Sequence, residues 1–287
     1  MSTKPLRVGL VGAGPWAELA HAPVLTGGPE TELVGIWGRR PEASAALAER
    51  FASRSFTDYD QLLAECDAVA FAVPPEVQGR MALTAARAGK HLLLDKPVAE
   101  SLASAQRLAD AVAEAGVSSM VLLTLRFTEA FRRFLPAAQA ISPIRATYTS
   151  LSDAFLEGPF SQSPWRHEKG ILTDVGPHVV DALSSLLGPV VSAEASTVDQ
   201  VVWLKLRHEG EGMSQATLSA HYAGPRVNDL AVAGRQGELA CDWTVPDSDR
   251  WGVVRREFAD AVRTGAPHPC DVHRGVELER VLAMVTG

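Results

Sequence analysis

Of the 287 residues only three are cysteine, Cys66, Cys241 and Cys270. An odd, widely spaced set excludes a disulfide framework and fits a reducing compartment. No apolar run reaches the ~18 residues that a membrane span needs. The start of the chain has one short apolar run, Val8 to Val11, and lacks the apolar core and small-residue cleavage site of a secretory signal. The expected location is therefore the cytoplasm. A surplus of positive charge is missing too: 27 Lys and Arg against 34 Asp and Glu leave a net charge of −7, which argues against a nucleic-acid backbone as partner. No G-x-S-x-G elbow is present, so serine hydrolysis has no support. His268, Cys270 and His273 cluster around Pro267 and Pro269, but no second ligand pair has metal spacing, and no metal is expected. Aromatic residues make up 6%, with six tryptophans scattered as packing residues.

What remains is an ordinary globular composition, 46% apolar and 21% charged. At about 150 residues per domain the length implies two domains. The first stretch alternates strand and helix patterns. Leu6 to Val11, Leu33 to Trp37, Ser55-Phe56, Asp67 to Val73, His91 to Leu94 and Ser118 to Leu123 read as strands, separated by Ala-, Leu- and Glu-rich helical segments. This alternation predicts a parallel, doubly wound sheet covered on both faces. After about residue 124 the pattern changes. Segments such as Val202-Trp203-Leu204-Lys205-Leu206-Arg207 alternate apolar and polar residues, as a sheet with one covered face does. One helix, about Pro177 to Leu187, interrupts these strands, and helical segments over Arg255–Arg263 and Arg274–Val285 follow them. The expected division is residues 1–124 and 125–287.

Gly12-Ala13-Gly14-Pro15-Trp16-Ala17 has the form G-x-G-x-x-A directly after a strand and at the opening of a helix. Gly12 permits a tight turn, Gly14 lets a pyrophosphate approach the backbone, and Ala17 allows close packing of helix on strand. Free N–H groups and the positive helix end then face the phosphates. In this βαβ context the motif predicts a dinucleotide site. An NAD site wants a carboxylate at the tip of the second strand. This chain has Trp37-Gly38-Arg39-Arg40 there, and guanidinium groups suit a 2′-phosphate, so NADP is expected over NAD. Leu94-Asp95-Lys96-Pro97 ends a strand at the carboxyl edge of the parallel sheet, where such folds bind ligands. Lys96 is placed to hold a substrate hydroxyl or help move its proton. Asp174, His178 and Asp181 stand at i, i+4 and i+7, on one face if helical. Because Pro177 suits a first turn, Asp174 is expected at the helix entrance and His178 just inside. A carboxylate beside an imidazole orients it and favours its protonated form.

Together these motifs resemble the Gfo/Idh/MocA family of NAD(P)-dependent oxidoreductases. The likeness runs through Val8 to Ala17, Thr57 to Leu63, Ala72 to Pro75, Ala88 to Pro97, Arg126-Phe127, Trp165-Arg166, Gly170 to Asp181, Gly234 to Leu239 and Glu257 to Gly265. It implies an N-terminal Rossmann domain and a C-terminal α/β domain with a large, open, mostly antiparallel sheet that mediates homodimers or homotetramers. It also implies that Lys96, Asp174 and His178 are catalytic, and that Trp16, Val73, Pro74 and Asp95 line the dinucleotide with Gly12, Gly14 and Ala17. Arg126, Trp165 and Arg166 fall where relatives line the substrate. The implied reaction is hydride transfer between the nicotinamide and a CH–OH or C=O carbon of a sugar, cyclitol or similar polyol. Whether Lys96 or His178 is the immediate proton partner stays open. The chain departs from the family pattern at Asp95, one methylene shorter than the usual glutamate, at Gln78 in place of a frequent histidine, at Glu129 in place of a proline, and in a short Trp165–Gly170 connection. The competing reading is a non-catalytic NAD(P)-binding regulator, expected to have lost the trio that this chain keeps.

Overall fold

The computed structural model describes residues 4–161, 163–243, 247 and 249–286, so the first three residues and the last fall outside it. The chain forms two compact units, Met1–Leu122 with Asp249–Glu277, and Leu123–Ser248 with Leu278–Gly287.

The first unit holds β1 (Leu6–Val11), β2 (Thr31–Trp37), β3 (Ser55–Phe56), β4 (Ala68–Phe71), β5 (His91–Leu94) and β6 (Ser119–Val121). They pair in parallel in the order β3-β2-β1-β4-β5-β6. This is the Rossmann order, with its switch point between β1 and β4. Every residue of β4 is buried, as a strand covered on both faces requires. The crossovers are α1 (Ala22–Thr26), α2 (Pro41–Arg50), α3 (Tyr59–Glu65), α4 (Pro75–Arg87) and α5 (Leu102–Ala115). Local chemistry fixes their ends. The Asp58 carboxylate accepts the N–H groups of Asp60 and Gln61 at the start of α3, and the Ser101 hydroxyl accepts that of Ser104 at the start of α5. The predicted helix over Trp16–Leu25 is present, but its middle, Ala17–His21, is a π-helical turn leading into α1.

A single cut near residue 124 does not describe the division, because residues 249–277 return to the first unit. The reason is a buried cation. Arg255, on α8 (Arg250–Thr264), donates from Nε to Glu30 Oε2 at 2.6 Å and fills the space over Gly28, where a Cβ would lie 2.4 Å from its guanidinium. The Ser118 hydroxyl also bonds the Ala261 carbonyl at 3.1 Å.

The second unit contains a helix that the alternation after residue 124 did not reveal, α6 (Glu129–Ala140), which buries Phe131, Phe134 and Ala138. Its sheet comprises β7 (Pro143–Leu151), β8 (Val190–Val198), β9 (Val201–His208), β10 (Met213–Ser219), β11 (Val227–Gly234) and β12 (Gly237–Asp242) in the order β12-β11-β7-β10-β9-β8. β7 and β10 run parallel; the other pairs are antiparallel. Tyr148, Leu204, Leu206, Leu218, Leu230 and Val232 are buried on one face, against which α7 (Pro164–Leu187) packs. Trp203, Lys205 and Arg207 alternate with them toward the other, open face.

Candidate active site

In the first unit the predicted cofactor residues gather at the carboxyl edge of the sheet. The chain leaves β1 at Gly12 with φ of 120°, a conformation that L side chains rarely adopt. A Cβ there would lie 2.3 Å from the Ala72 carbonyl oxygen, so β1 and the end of β4 touch through bare backbone. The Gly12 N–H donates to the Trp37 carbonyl at 2.8 Å, which brings the tip of β2 to the same turn. Gly14 differs: a Cβ would meet nothing within 4 Å. The protein leaves this backbone open, as a bound pyrophosphate requires. Ala17 is fully buried, and no side chain caps the helical turn that follows Trp16. The Glu18 N–H of this turn donates to the Gly14 carbonyl at 3.2 Å, and the turn points its N-terminal end toward the glycine loop. Val73 and Pro74 lead from β4 into α4 beside Gly12, Val73 Cγ1 lying 3.1 Å from where a Gly12 Cβ would stand. Arg39 and Arg40 follow β2 and are exposed, and neither forms an ion pair with a described residue. The residues fit a dinucleotide.

Asp95 and Lys96 follow β5. The Lys96 N–H donates to Asp95 Oδ1 at 2.8 Å, and the Lys96–Pro97 bond is cis. Gln78, fully buried in the first turn of α4, fastens this loop. Its two Nε2 hydrogens are shared among the carbonyls of Asp95 (2.7 Å), Pro97 (3.0 Å) and Val98 (3.1 Å), and its Oε1 accepts the Asp95 N–H at 2.8 Å. The Nε2 of buried His21 lies 3.7 Å from Asp95 Oδ2. Burial pushes the Asp95 carboxyl up, but the facing His21, the Lys96 charge and the Lys96 N–H outweigh it and hold the group below the usual range.

In the sequence Gln78 is marked only as a departure from the family pattern, with no role given to it, and His21 is not marked at all. The available signal was a polar side chain on an otherwise apolar helix face: Gln78 with Met81, Ala82 and Ala85, and His21 between Ala20 and Ala22. A buried polar group in such company asks for a partner: Gln78 finds several in the Lys96 loop, and His21 faces Asp95 of that loop at 3.7 Å.

The second unit carries Asp174 and His178. The helix does not begin near Pro177. α7 starts at Pro164, which supplies the first-turn proline, breaks at Gly170 (φ 74°, ψ 176°) and continues through Pro177 as an interior residue. An interior proline removes one backbone hydrogen bond. Asp174, His178 and Asp181 still share a face. Arg166, expected to line the substrate, donates from Nε to Asp174 Oδ2 at 3.2 Å and from Nη1 to Ser163 Oγ at 3.3 Å. Its guanidinium stacks on Phe160 and Trp165 at 4.6 and 4.7 Å. The carboxylate one helical turn before His178 is therefore itself held by a cation. Arg126, in the 3₁₀ turn Thr124–Phe127, pairs from Nε with buried Asp181 Oδ2 at 2.9 Å. Its charge is balanced inside the unit. Among the described residues no group of three His, Cys, Asp or Glu side chains could hold a metal ion, and no helix is long and apolar enough to cross a membrane.

The sequence profile of an oxidoreductase family with an NAD-binding Rossmann fold, Gfo/Idh/MocA, matches residues 6–123. A dTDP-3,4-didehydro-2,6-dideoxy-α-D-glucose 3-reductase of Streptomyces violaceoruber is 31% identical over 269 residues, 90% of this chain and 75% of that protein. An oxidoreductase of Rhizobium meliloti is 33% identical over 319 residues, 96% of this chain and 95% of its own. A 3-ketoreductase from Actinomadura kijaniata, solved with NADP and TDP-benzene, superposes with a TM-score of 0.83 at 21% identity, over 98% of this chain and 97% of that one. Profile, relatives and fold agree: the chain belongs to the Gfo/Idh/MocA family of NAD(P)-binding oxidoreductases.

Proposed function

We propose that this protein interconverts a CH–OH and a C=O group on a sugar, cyclitol or similar small polyol, using NADP in preference to NAD. The observation that carries this reading is the pairing of an open glycine turn at the sheet's switch point with Lys96, held on a clamped loop at the same edge. When bound, the nicotinamide supplies the hydride donor or acceptor. Gly12, Gly14, Trp16, Ala17, Val73, Pro74 and Asp95 hold the dinucleotide, and Arg39 and Arg40 take the 2′-phosphate. Their exposure and lack of ion pairs with described residues support this.

His178 exchanges the proton of the substrate hydroxyl. Asp174 orients it, and Arg166 holds that carboxylate in place. Lys96 donates a hydrogen bond to a substrate oxygen and offsets developing alkoxide charge. Trp165 offers a flat apolar face to the sugar ring. Arg126 braces the substrate side of the second unit through Asp181. The open face of the second sheet serves self-association into a dimer or tetramer, and the few, widely spaced cysteines fit a cytoplasmic setting.

The test is a panel of polyols, cyclitols and nucleotide-linked keto sugars assayed with both cofactors by the absorbance of the reduced nicotinamide. On the substrate so found, Lys96→Met and His178→Ala each lower turnover by about 10²–10⁴-fold. Full turnover in both variants overturns the assignment.

A further inference from the structure

His21 is an unexpected residue to find without water. It lies in the π-helical turn just after the glycine turn, its relative exposure is 0%, and neither ring nitrogen makes a hydrogen bond to a described residue. A buried, unsatisfied polar group destabilises a fold, so its surroundings should say what it does. Two side chains define them. The Trp16 ring stands edge-on to the imidazole, with centroids 6.4 Å apart. On the other side Asp95 presents Oδ2 at 3.7 Å from Nε2, just beyond hydrogen-bond reach. The second oxygen of that carboxylate takes the Lys96 N–H at 2.8 Å. Asp95 is thus shared between an imidazole and the residue carrying the ammonium, on a loop whose backbone Gln78 prevents from drifting.

We propose that His21 is a positioning residue that acts through Asp95 on Lys96, drawing the carboxylate toward itself and so leaving the Lys96 amine less tied by it. The inference concerns the site read above as catalytic and rests on that reading for its functional meaning. The depressed Asp95 carboxyl, held down by His21 and Lys96 together, accords with a carboxylate answering to both.

The test reads Lys96 itself, without substrate or dinucleotide. The intact protein is acylated briefly with acetic anhydride at one fixed pH, and the Lys96 and Lys205 peptides are quantified by mass spectrometry. His21→Phe keeps the ring against Trp16 and removes the N–H. It should slow Lys96 acylation several-fold, because the carboxylate then turns wholly to the ammonium, while Lys205 on the second unit reacts as before. His21→Gln returns an N–H near the place of Nε2 and should restore the rate to within about 2-fold. Asp95→Asn should speed the reaction, and adding His21→Phe to it should change nothing further, as expected when two side chains act through one link. An unchanged Lys96 rate in His21→Phe overturns the proposal, as does a His21→Phe effect that persists undiminished on Asp95→Asn. If Phe does not fold at this position, His21→Leu takes its place with the same expected outcomes. Because turnover is not measured, the two readings fail separately. A Lys96→Met enzyme that still turns over sinks the catalytic role, whereas an unresponsive Lys96 amine sinks only the role of His21.

Discussion

On the reading proposed above, single side chains decide which cofactor and which protons this protein handles. Arg39 and Arg40 stand exposed after β2 where an NAD site would place a carboxylate. A charge-assisted hydrogen bond contributes roughly 1.5–3 kcal/mol. Changing both to serine should therefore weaken NADP by about ten- to a hundredfold while changing NAD affinity little, as calorimetric titration would show. Equal loss for both cofactors would mean that the pair serves the turn rather than the phosphate. The glycine motif and Asp95-Lys96-Pro97 were legible in the sequence because each is a local requirement, written in consecutive residues. Arg166 was legible only as a neighbour of the site. Its hold on Asp174 spans the Gly170 break, and spacing counted along a helix assumed to start later does not reveal it. His21 and Gln78 were opaque for a related reason: their partner, the Asp95–Val98 loop, lies far along the chain.

Among the elements, strands were read more securely than helices. β1, β4 and β5 announce themselves by short buried runs, and β9 by strict alternation. α6 was missed because Pro136 interrupts its pattern, although its buried face packs Phe131 and Phe134 against Trp243. Two helix and strand features invite measurement. The 3₁₀ turn before α6 is joined to α7 by Arg126 and Asp181, the latter 1% exposed. Arg126→Met leaves that carboxylate without its cation and should cost about 3–5 kcal/mol in urea unfolding, with a smaller loss when Asp181→Leu is added. His208, at the end of β9, is buried, with Nδ1 at 2.8 Å from the Gly188 carbonyl and Nε2 at 2.8 Å from the Ser214 hydroxyl. Burial lowers its pKa, opposed in part by the Gly188 bond; burial lowers that of His91 as well. Below the unfolded histidine value of about 6.5 the unfolded chain gains protons that the native chain refuses. Stability should thus fall as pH drops from 7 toward 5, and His208→Gln should remove part of that slope in unfolding curves taken across the range. An unchanged slope would show that His208 takes its proton without unfolding.

At the scale of the whole molecule, the open face of the second sheet is the feature that asks for a partner. Across it the register sets Glu194 beside Lys205, Lys205 beside Gln215, and Trp203 beside Thr217. Trp203 is 41% exposed. If copies of the chain meet on this face, Trp203→Glu should convert the assembly to a smaller species in sedimentation while the fold, followed by circular dichroism, is retained. An unchanged sedimentation coefficient would assign the interface elsewhere. The general two-part plan was visible in the change of pattern near residue 124, but the return of residues 249–277 to the first unit was not, because Arg255 finds Glu30 across more than two hundred residues. That return has a topological consequence. The polypeptide passes from one unit to the other three times, after residues 122, 248 and 277, so no single scission separates it into two self-sufficient pieces. A fragment ending at 124 would contain every strand of the first sheet and still lack the helix whose Arg255 pairs with Glu30.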